Sequence, residues 1–156
     1  MNKKQIKKLG DILTIVNPLL CLLIVLLFYR TTINISIIIC TYIIGNCIVQ
    51  IIKGITDSSR PREGGKYEVI KIHGYSHKDG ESCCSGHTMS ACVAAYFLLF
   101  YVDILLSIPF IILGYICAWT RIKVKAHWLF DVILSNIIAI IIMIISQWFL
   151  FCIEVL

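Results

Sequence analysis

Long apolar stretches are the feature that most constrains this chain. They cover residues 12–29, 33–52, 88–119 and 132–151, and polar segments separate them. A helix rises about 1.5 Å per residue, so about 20 apolar residues cross the hydrocarbon core of a bilayer. Hydrophobic residues make up 59% of the chain and charged residues 15%, whereas a soluble domain has about 45–50% and about 25%. This composition excludes both a soluble globular protein and a disordered chain.

The number of helices follows from the lengths of these stretches. Residues 88–119 are too many for one span, so we expect two short helices that turn near Asp103. In the second stretch, Asn46 and Gln50 would be costly facing lipid, and we expect both to face the bundle interior. The predicted fold is an all-α integral membrane bundle with about five transmembrane helices in a single domain, residues 1–156. The predicted helices cover approximately residues 12–29, 33–52, 88–102, 104–119 and 132–151, and a polar loop covers residues 53–87.

Basic residues are distributed unevenly along the chain. Of the 14 lysines and arginines, only Arg30 lies outside the N-terminal run, the loop at residues 53–87 and the segment at residues 121–125. With five helices, these three segments lie on one side of the membrane. The positive-inside tendency predicts that this side is cytoplasmic. Such clustering favours membrane orientation or phosphate chemistry, and we expect no nucleic-acid partner.

Three clusters of polar residues lie on that basic side: KGITDSSRP at residues 53–61, CSGH at residues 84–87 and RIKVKAHWLFD at residues 121–131. In the third cluster, His127 and Asp131 are four residues apart and share one helical face. A carboxylate that accepts one imidazole N–H leaves the other ring nitrogen as a nucleophile. In the second cluster, His87 supplies an imidazole suited to protonating a leaving oxygen near neutral pH.

The same clusters supply groups that bind anions. Lys53, Arg60 and Arg121 are cations, and the planar fork of arginine matches pairs of phosphate oxygens. Ser85 and Gly86 precede a predicted helix N-terminus, where backbone N–H groups favour an anion. Two histidines, one carboxylate and three cations are the groups that phosphoryl transfer requires.

Each cluster also has a simpler explanation when it is taken alone. Lys53 and Arg60 would be ordinary flanking charges, Ser85 would be a helix cap, and His127 with Asp131 would be a structural pair. The three clusters together, in this order and on one predicted membrane side, favour phosphoryl-transfer chemistry over these explanations.

A different use of the polar loop is a metal site. His73, His77, Cys83, Cys84 and His87 offer imidazole and thiolate groups in one segment. Adjacent cysteines and irregular spacing fit a closed tetrahedral zinc site poorly, so this alternative is less favoured.

The order K-x6-R-P, S-G-H and R-x5-H-x3-D resembles the signature of the type 2 phosphatidic acid phosphatase (PAP2) superfamily. That superfamily includes vanadium haloperoxidases and membrane lipid phosphate phosphatases. The resemblance implies that His127 forms a phosphohistidine, that Asp131 orients it, and that His87 protonates the leaving group and then activates water. It implies that five residues hold the phosphoryl group: Lys53, Arg60, Ser85, Gly86 and Arg121. It also implies that the protein uses no metal ion or other cofactor.

Two positions depart from the usual motifs. Cys84 stands where a proline usually precedes S-G-H, and Thr120 stands where a serine usually precedes the arginine. Threonine keeps the hydroxyl, and loss of the proline relaxes the loop without removing a catalytic group. The expected function is therefore a membrane-embedded phosphatase acting on a lipid phosphomonoester or a polyprenyl diphosphate. The alternatives are a lipid phosphotransferase that uses an alcohol as acceptor, and a small non-catalytic membrane scaffold.

Overall fold

In the computed structural model of the protein, the described residues are 1–28, 32–57, 60–61, 71–72 and 82–155. They form five helices: α1 (Lys3–Phe28), α2 (Thr32–Ile55), α3 (Gly86–Tyr101), α4 (Ile104–Lys123) and α5 (Leu129–Val155). Strand β1 (Thr56–Asp57) pairs with β2 (Lys71–Ile72) as a two-residue antiparallel ladder. The protein is an all-α helical bundle, as its apolar stretches predict. His73 and His77 lie outside the described residues.

Helix α3 lies at the centre of the bundle. It packs against all four other helices, and residues 88–98 are buried without exception. Ala91, Ala94 and Ala95 are among them, and such small side chains allow neighbouring helices to approach closely. Because other helices cover it on all sides, α3 presents little surface to the surroundings.

The four outer helices present apolar surface outward. Helices α1, α2, α4 and α5 are long and apolar enough to cross a membrane, whereas α3 has 16 residues and is shorter. Each outer helix exposes large apolar side chains, for example Leu19, Ile43, Ile112 and Ile141. Apolar surface of this extent is unfavourable in water and suits a lipid environment. The helices fit a multi-pass membrane protein.

The helices extend beyond the apolar stretches that predict them. Helix α1 begins at Lys3 rather than near residue 12, and α4 continues to Lys123 rather than ending near residue 119. Apolar stretches mark the thickness of the hydrocarbon core, whereas backbone hydrogen bonding continues into the polar interface. The turn between α3 and α4 lies at Asp103, whose side chain accepts a hydrogen bond from the backbone N–H of Leu106 at 2.9 Å. Asp103 is therefore the N-cap of α4.

The two polar residues of α2 have different surroundings. Asn46 is half-buried, and its Oδ1 accepts a hydrogen bond from the Ser90 hydroxyl of α3 at 3.4 Å. The prediction that Gln50 also faces the interior is wrong, because Gln50 is exposed. Its neighbour Val49 is fully buried, and one residue along a helix turns the side chain by about 100°. Val49 therefore takes the inward position, and Gln50 points away from the bundle.

One end of the bundle brings together charged residues of α1, α3 and α4. Helices α1, α3 and α5 begin at this end, and α2 and α4 finish there. Side chains make contacts across it: Arg121 at the end of α4 pairs with Asp11 near the start of α1, which also contacts His87 at the start of α3. We call this part of the molecule the polar end.

Candidate active site

The turn between α4 and α5 positions His127. Lys125 adopts a left-handed conformation with φ of 57°, which reverses the chain directly after α4. The carbonyl of Arg121 then accepts hydrogen bonds from the backbone N–H groups of Ala126 at 3.0 Å and His127 at 3.4 Å. The local backbone therefore holds His127 next to the last turn of α4, where Arg121 lies.

The orientation of the His127 ring is set by Ser82. The Nδ1 atom lies 2.7 Å from the backbone carbonyl oxygen of Ser82 and 3.7 Å from Oδ2 of Asp131. Nδ1–H therefore donates to the carbonyl, while the carboxylate lies just beyond hydrogen-bond distance. In this tautomer the lone pair is on Nε2. The imidazole is only 5% exposed.

Asp131 lies close to His127 in the same cluster. Its carboxylate is buried, and Oδ2 accepts hydrogen bonds from the Ser82 hydroxyl and, at 2.9 Å, from the backbone N–H of Trp128. Its Oδ1 has no hydrogen-bond partner among the described residues. Ser82 thus connects the carboxylate to the imidazole, because its hydroxyl contacts Asp131 and its carbonyl contacts His127.

Ser85 fixes the start of α3 against the start of α5. Its hydroxyl accepts hydrogen bonds from the backbone N–H of Thr88 at 3.3 Å and from the Thr88 hydroxyl at 3.0 Å. Its own backbone N–H donates to the Ser135 hydroxyl at 2.8 Å. Ser85 is therefore the N-cap of α3, and Gly86 is the first helical residue. Contacts of Ser85 and Gly86 with a phosphate remain a prediction.

The Arg121 guanidinium is buried beneath the first turns of α1. Its side chain is 3% exposed, and Nη1 donates to Oδ1 of Asp11 at 2.9 Å. Nη2 donates to the backbone carbonyl of Lys7 at 3.0 Å, and Nε donates to the Thr120 hydroxyl at 3.3 Å. All three nitrogen atoms of the guanidinium thus have partners, and two of these partners belong to α1.

His87 shares a partner with Arg121. Its Nε2 lies 3.2 Å from Oδ1 of Asp11, and its side chain is 40% exposed. His87 precedes the apolar residues of α3, which begin after it. Partial burial lowers the pKa of His87 to about 4, the positive charge of Arg121 and the neighbouring His127 act in the same direction, and the Asp11 carboxylate opposes them. His87 is consequently neutral at pH 7 unless an anion such as a phosphate adds negative charge beside it.

Lys53 of the first polar cluster lies close to the second cluster. Lys53 is half-buried in the last turn of α2, and Arg60 is half-buried beyond β1. A hydrogen bond with the Cys83 thiol lowers the pKa of Cys84, and the charge of nearby Lys53 adds to this effect. Lys53 therefore lies close to the segment that leads into Ser85. No three His, Cys, Asp or Glu side chains of the described residues are placed to bind one metal ion.

Sequence reasoning missed two residues of this site. Asp11 contacts both His87 and Arg121, and it is the first acidic residue of the chain, with none following before Asp57. A single carboxylate at the edge of an apolar stretch is unusual, and that signal was available in the sequence. Ser82 gave no such signal, since its role depends on the packing of its loop against α5.

Comparison with known proteins bears on this arrangement. The sequence profile of the PAP2 superfamily matches residues 34–152. This range contains the three polar clusters, whereas α1 with Asp11 lies outside it. No curated protein and no solved structure matches the chain. Because the profile covers most of the sequence, the chain belongs to the PAP2 superfamily.

Proposed function

We propose that this protein is a membrane lipid phosphate phosphatase that acts through a phosphohistidine at His127. The observation that carries the proposal is the position of His127 at the polar end of an apolar bundle. Its Nδ1 is hydrogen-bonded, a buried carboxylate lies beside it, and Arg121 and His87 are its neighbours. Membership of a superfamily whose members are generally phosphatases supports the same reaction.

In the first step, the lone pair on Nε2 of His127 attacks phosphorus, and the bond from phosphorus to the leaving oxygen breaks. His87, protonated when the phosphate is bound, gives its proton to that oxygen, so the leaving oxygen departs protonated. The Asp131 carboxylate stabilises the positive charge that develops on the His127 ring. Lys53, Arg60 and Arg121 are proposed to stabilise the negative charge on the equatorial oxygens.

In the second step, His87 is neutral and accepts a proton from a water molecule that attacks the phosphohistidine. The nitrogen–phosphorus bond breaks, inorganic phosphate leaves, and the His127 ring regains its lone pair. The same imidazole thus serves as acid and then as base. The proposed reaction uses no metal ion.

The surroundings of the site favour a substrate with an apolar tail. An apolar groove of about 280 Å³ lies between α1 and α2, with Val93 and Ala94 of α3 among the residues that line it. Thr14, another lining residue, is three residues from Asp11, so the groove begins about one helical turn from the polar end. We propose that the groove receives part of the tail while the phosphate reaches the cations.

Phosphatidic acid, another phospholipid monophosphate and a polyprenyl diphosphate all have this form. We propose further that the polar end faces the cytoplasm, because nearly all basic residues lie in the segments on that side.

The test is phosphate release by detergent-purified protein from phosphatidic acid and from a polyprenyl diphosphate, with EDTA present. We expect release by the natural sequence and none by the His127→Ala variant, provided that both have the same elution volume and melting temperature. Retained release in the variant would falsify the phosphohistidine mechanism. Transfer to an added alcohol without release to water would favour the phosphotransferase instead.

A further inference from the structure

We propose that Asp11 competes with the substrate phosphate for Arg121 and His87, so that the first turns of α1 must leave the site before substrate binds. This inference rests on the proposed function, because it takes Arg121 and His87 as groups that meet the phosphoryl group. It adds a control element from α1, which lies outside the residues matched by the family profile.

The central observation is that two groups converge on one carboxylate oxygen. Oδ1 of Asp11 lies 2.9 Å from Nη1 of Arg121 and 3.2 Å from Nε2 of His87. The arginine comes from the end of α4 and the histidine from the start of α3, whereas the carboxylate comes from α1. A phosphate oxygen bound by the same two groups would occupy this position, since carboxylate and phosphate oxygens accept charge-assisted hydrogen bonds at similar distances.

A second contact closes the other side of the guanidinium. The backbone carbonyl of Lys7 accepts a hydrogen bond from Nη2 of Arg121 at 3.0 Å. With α1 in this position, Arg121 is only 3% exposed. A phosphate therefore reaches both outer nitrogens of Arg121 only after the contacts with Asp11 and Lys7 have broken.

Gly10 allows the backbone of α1 to lie this close to Arg121. A Cβ atom at Gly10 would collide with the Thr120 hydroxyl and with the guanidinium of Arg121. The backbone of α1 thus lies directly on the arginine head group, and a larger residue would hold the two apart. The contact between the α1 backbone and Arg121 is therefore part of the helix packing.

The first turns of α1 lie at the edge of the bundle and carry four lysines. Lys3, Lys4, Lys7 and Lys8 are exposed. Farther along, Asn17 is buried and donates to the carbonyl of Ala91 at 2.8 Å, which anchors α1 to α3. Pro18, the residue after Asn17, removes the backbone hydrogen bond to the carbonyl of Thr14, and helices bend most easily at such a position. The missing hydrogen bond weakens the helix between Thr14 and Pro18, so the segment before Thr14 can bend while the later part of α1 stays packed.

The experiment measures binding of inorganic phosphate to the detergent-purified full-length protein by titration calorimetry. Asp11→Asn keeps the shape of the side chain and removes its charge, so the internal competitor is weakened. We expect Kd for phosphate to fall roughly tenfold, because the fraction of protein with a free anion site rises. Asp11→Glu keeps the charge, and we expect it to bind phosphate more weakly than Asp11→Asn.

The matched control is Asp103→Asn at the opposite end of the bundle, where asparagine also serves as a helix cap. We expect its Kd to equal that of the natural sequence. Unchanged or weaker phosphate binding by Asp11→Asn, or no binding by either protein, would overturn the competition.

Lipid turnover separates this inference from the proposed function. If the natural sequence releases phosphate from lipid and Asp11→Asn binds phosphate no more tightly, the competition fails and the phosphatase stands. If no lipid is hydrolysed but Asp11→Asn binds phosphate more tightly, the competition stands and the phosphatase fails. With both intact, we expect Asp11→Asn to lower KM for phosphatidic acid by more than it changes kcat.

Discussion

The two histidines of the polar end lie in contrasting surroundings. His127 is 5% exposed, and its nearest carboxylate, Asp131, is buried four residues farther along the same segment. His87 is 40% exposed, and its carboxylate partner Asp11 comes from a different helix and is 43% exposed. The difference shows that folding fixes the environment of one imidazole and leaves that of the other open to exchange with solvent and ligands.

Burial explains why one histidine is harder to separate from its carboxylate than the other. Removing the partner of a buried charge leaves that charge without compensation. Separating the Asp131 carboxylate from the His127 ring would therefore cost a large amount of free energy. Exposed ion pairs contribute about 0–1 kcal/mol, because water replaces the lost partner. The contact of Asp11 with His87 therefore breaks at little cost, whereas its contact with the buried Arg121 guanidinium is costly to break unless another anion takes its place. A fixed nucleophile beside an exchangeable acid suits a site that must admit a phosphate.

The largest expected effect is that of His127→Ala. Removing the proposed nucleophile abolishes the covalent step, and we expect kcat to fall by roughly 10⁴-fold or more. Phosphate release from phosphatidic acid and from an aryl phosphate measures the loss, which should be similar for both substrates. A variant that is folded by melting temperature but retains more than a small part of its activity would contradict the assignment of His127.

Asp131→Asn tests whether the effect of the buried carboxylate on His127 depends on its charge. Asparagine keeps an acceptor for the N–H of Trp128 but loses the negative charge, so we expect kcat to fall by roughly 10²–10⁴-fold. Ser82→Ala is the matched control, because it removes the hydroxyl and keeps the carbonyl that accepts from His127.

We expect the loss in Ser82→Ala to be smaller, about tenfold, corresponding to one hydrogen bond. Equal losses in the two variants would mean that Asp131 acts only by holding the loop of Ser82.

His87→Ala tests whether the more exposed histidine acts as the general acid. A lipid alkoxide is a poor leaving group and needs a proton, so we expect release from phosphatidic acid to fall by roughly 10²–10³-fold. The aryloxide of an aryl phosphate leaves without protonation, so the initial burst of aryloxide release in the first step should fall much less. His127→Ala provides the contrast, since its loss does not depend on the leaving group. An equal loss in this first step on both substrates would show that His87 is not the acid.

The sequence predicts the all-α bundle because apolar length and helical rise are local properties. His127 and Asp131 lie close together as their spacing predicts, but the prediction that they share a helical face is wrong, because His127 lies in the turn before α5. The contacts of Asp11 and Ser82 could not be predicted in the same way. They depend on how α1 packs on α4 and on how a loop folds over α5, and no spacing in the chain encodes either distance.

The smallest expected effect concerns pH and the stability of the fold. In the folded protein, partial burial together with Arg121 and His127 lowers the pKa of His87 from 6.5 to about 4, while Asp11 opposes the shift. In the unfolded chain His87 titrates near 6.5, so between about pH 6.5 and pH 4 the unfolded state binds more protons. The stability that neutral His87 contributes is therefore complete above pH 6.5 and is lost as the pH falls toward 4.

The measurement is the melting temperature of detergent-purified protein at about pH 7 and pH 5. We expect the natural sequence to lose about 1–3 °C more than His87→Gln over this range, a small value because the imidazole is well exposed. Equal losses would mean that Asp11 fully compensates the effect of burial on the pKa of His87. A larger loss in the natural sequence would show that His87 keeps a lowered pKa in the folded protein despite its contact with Asp11.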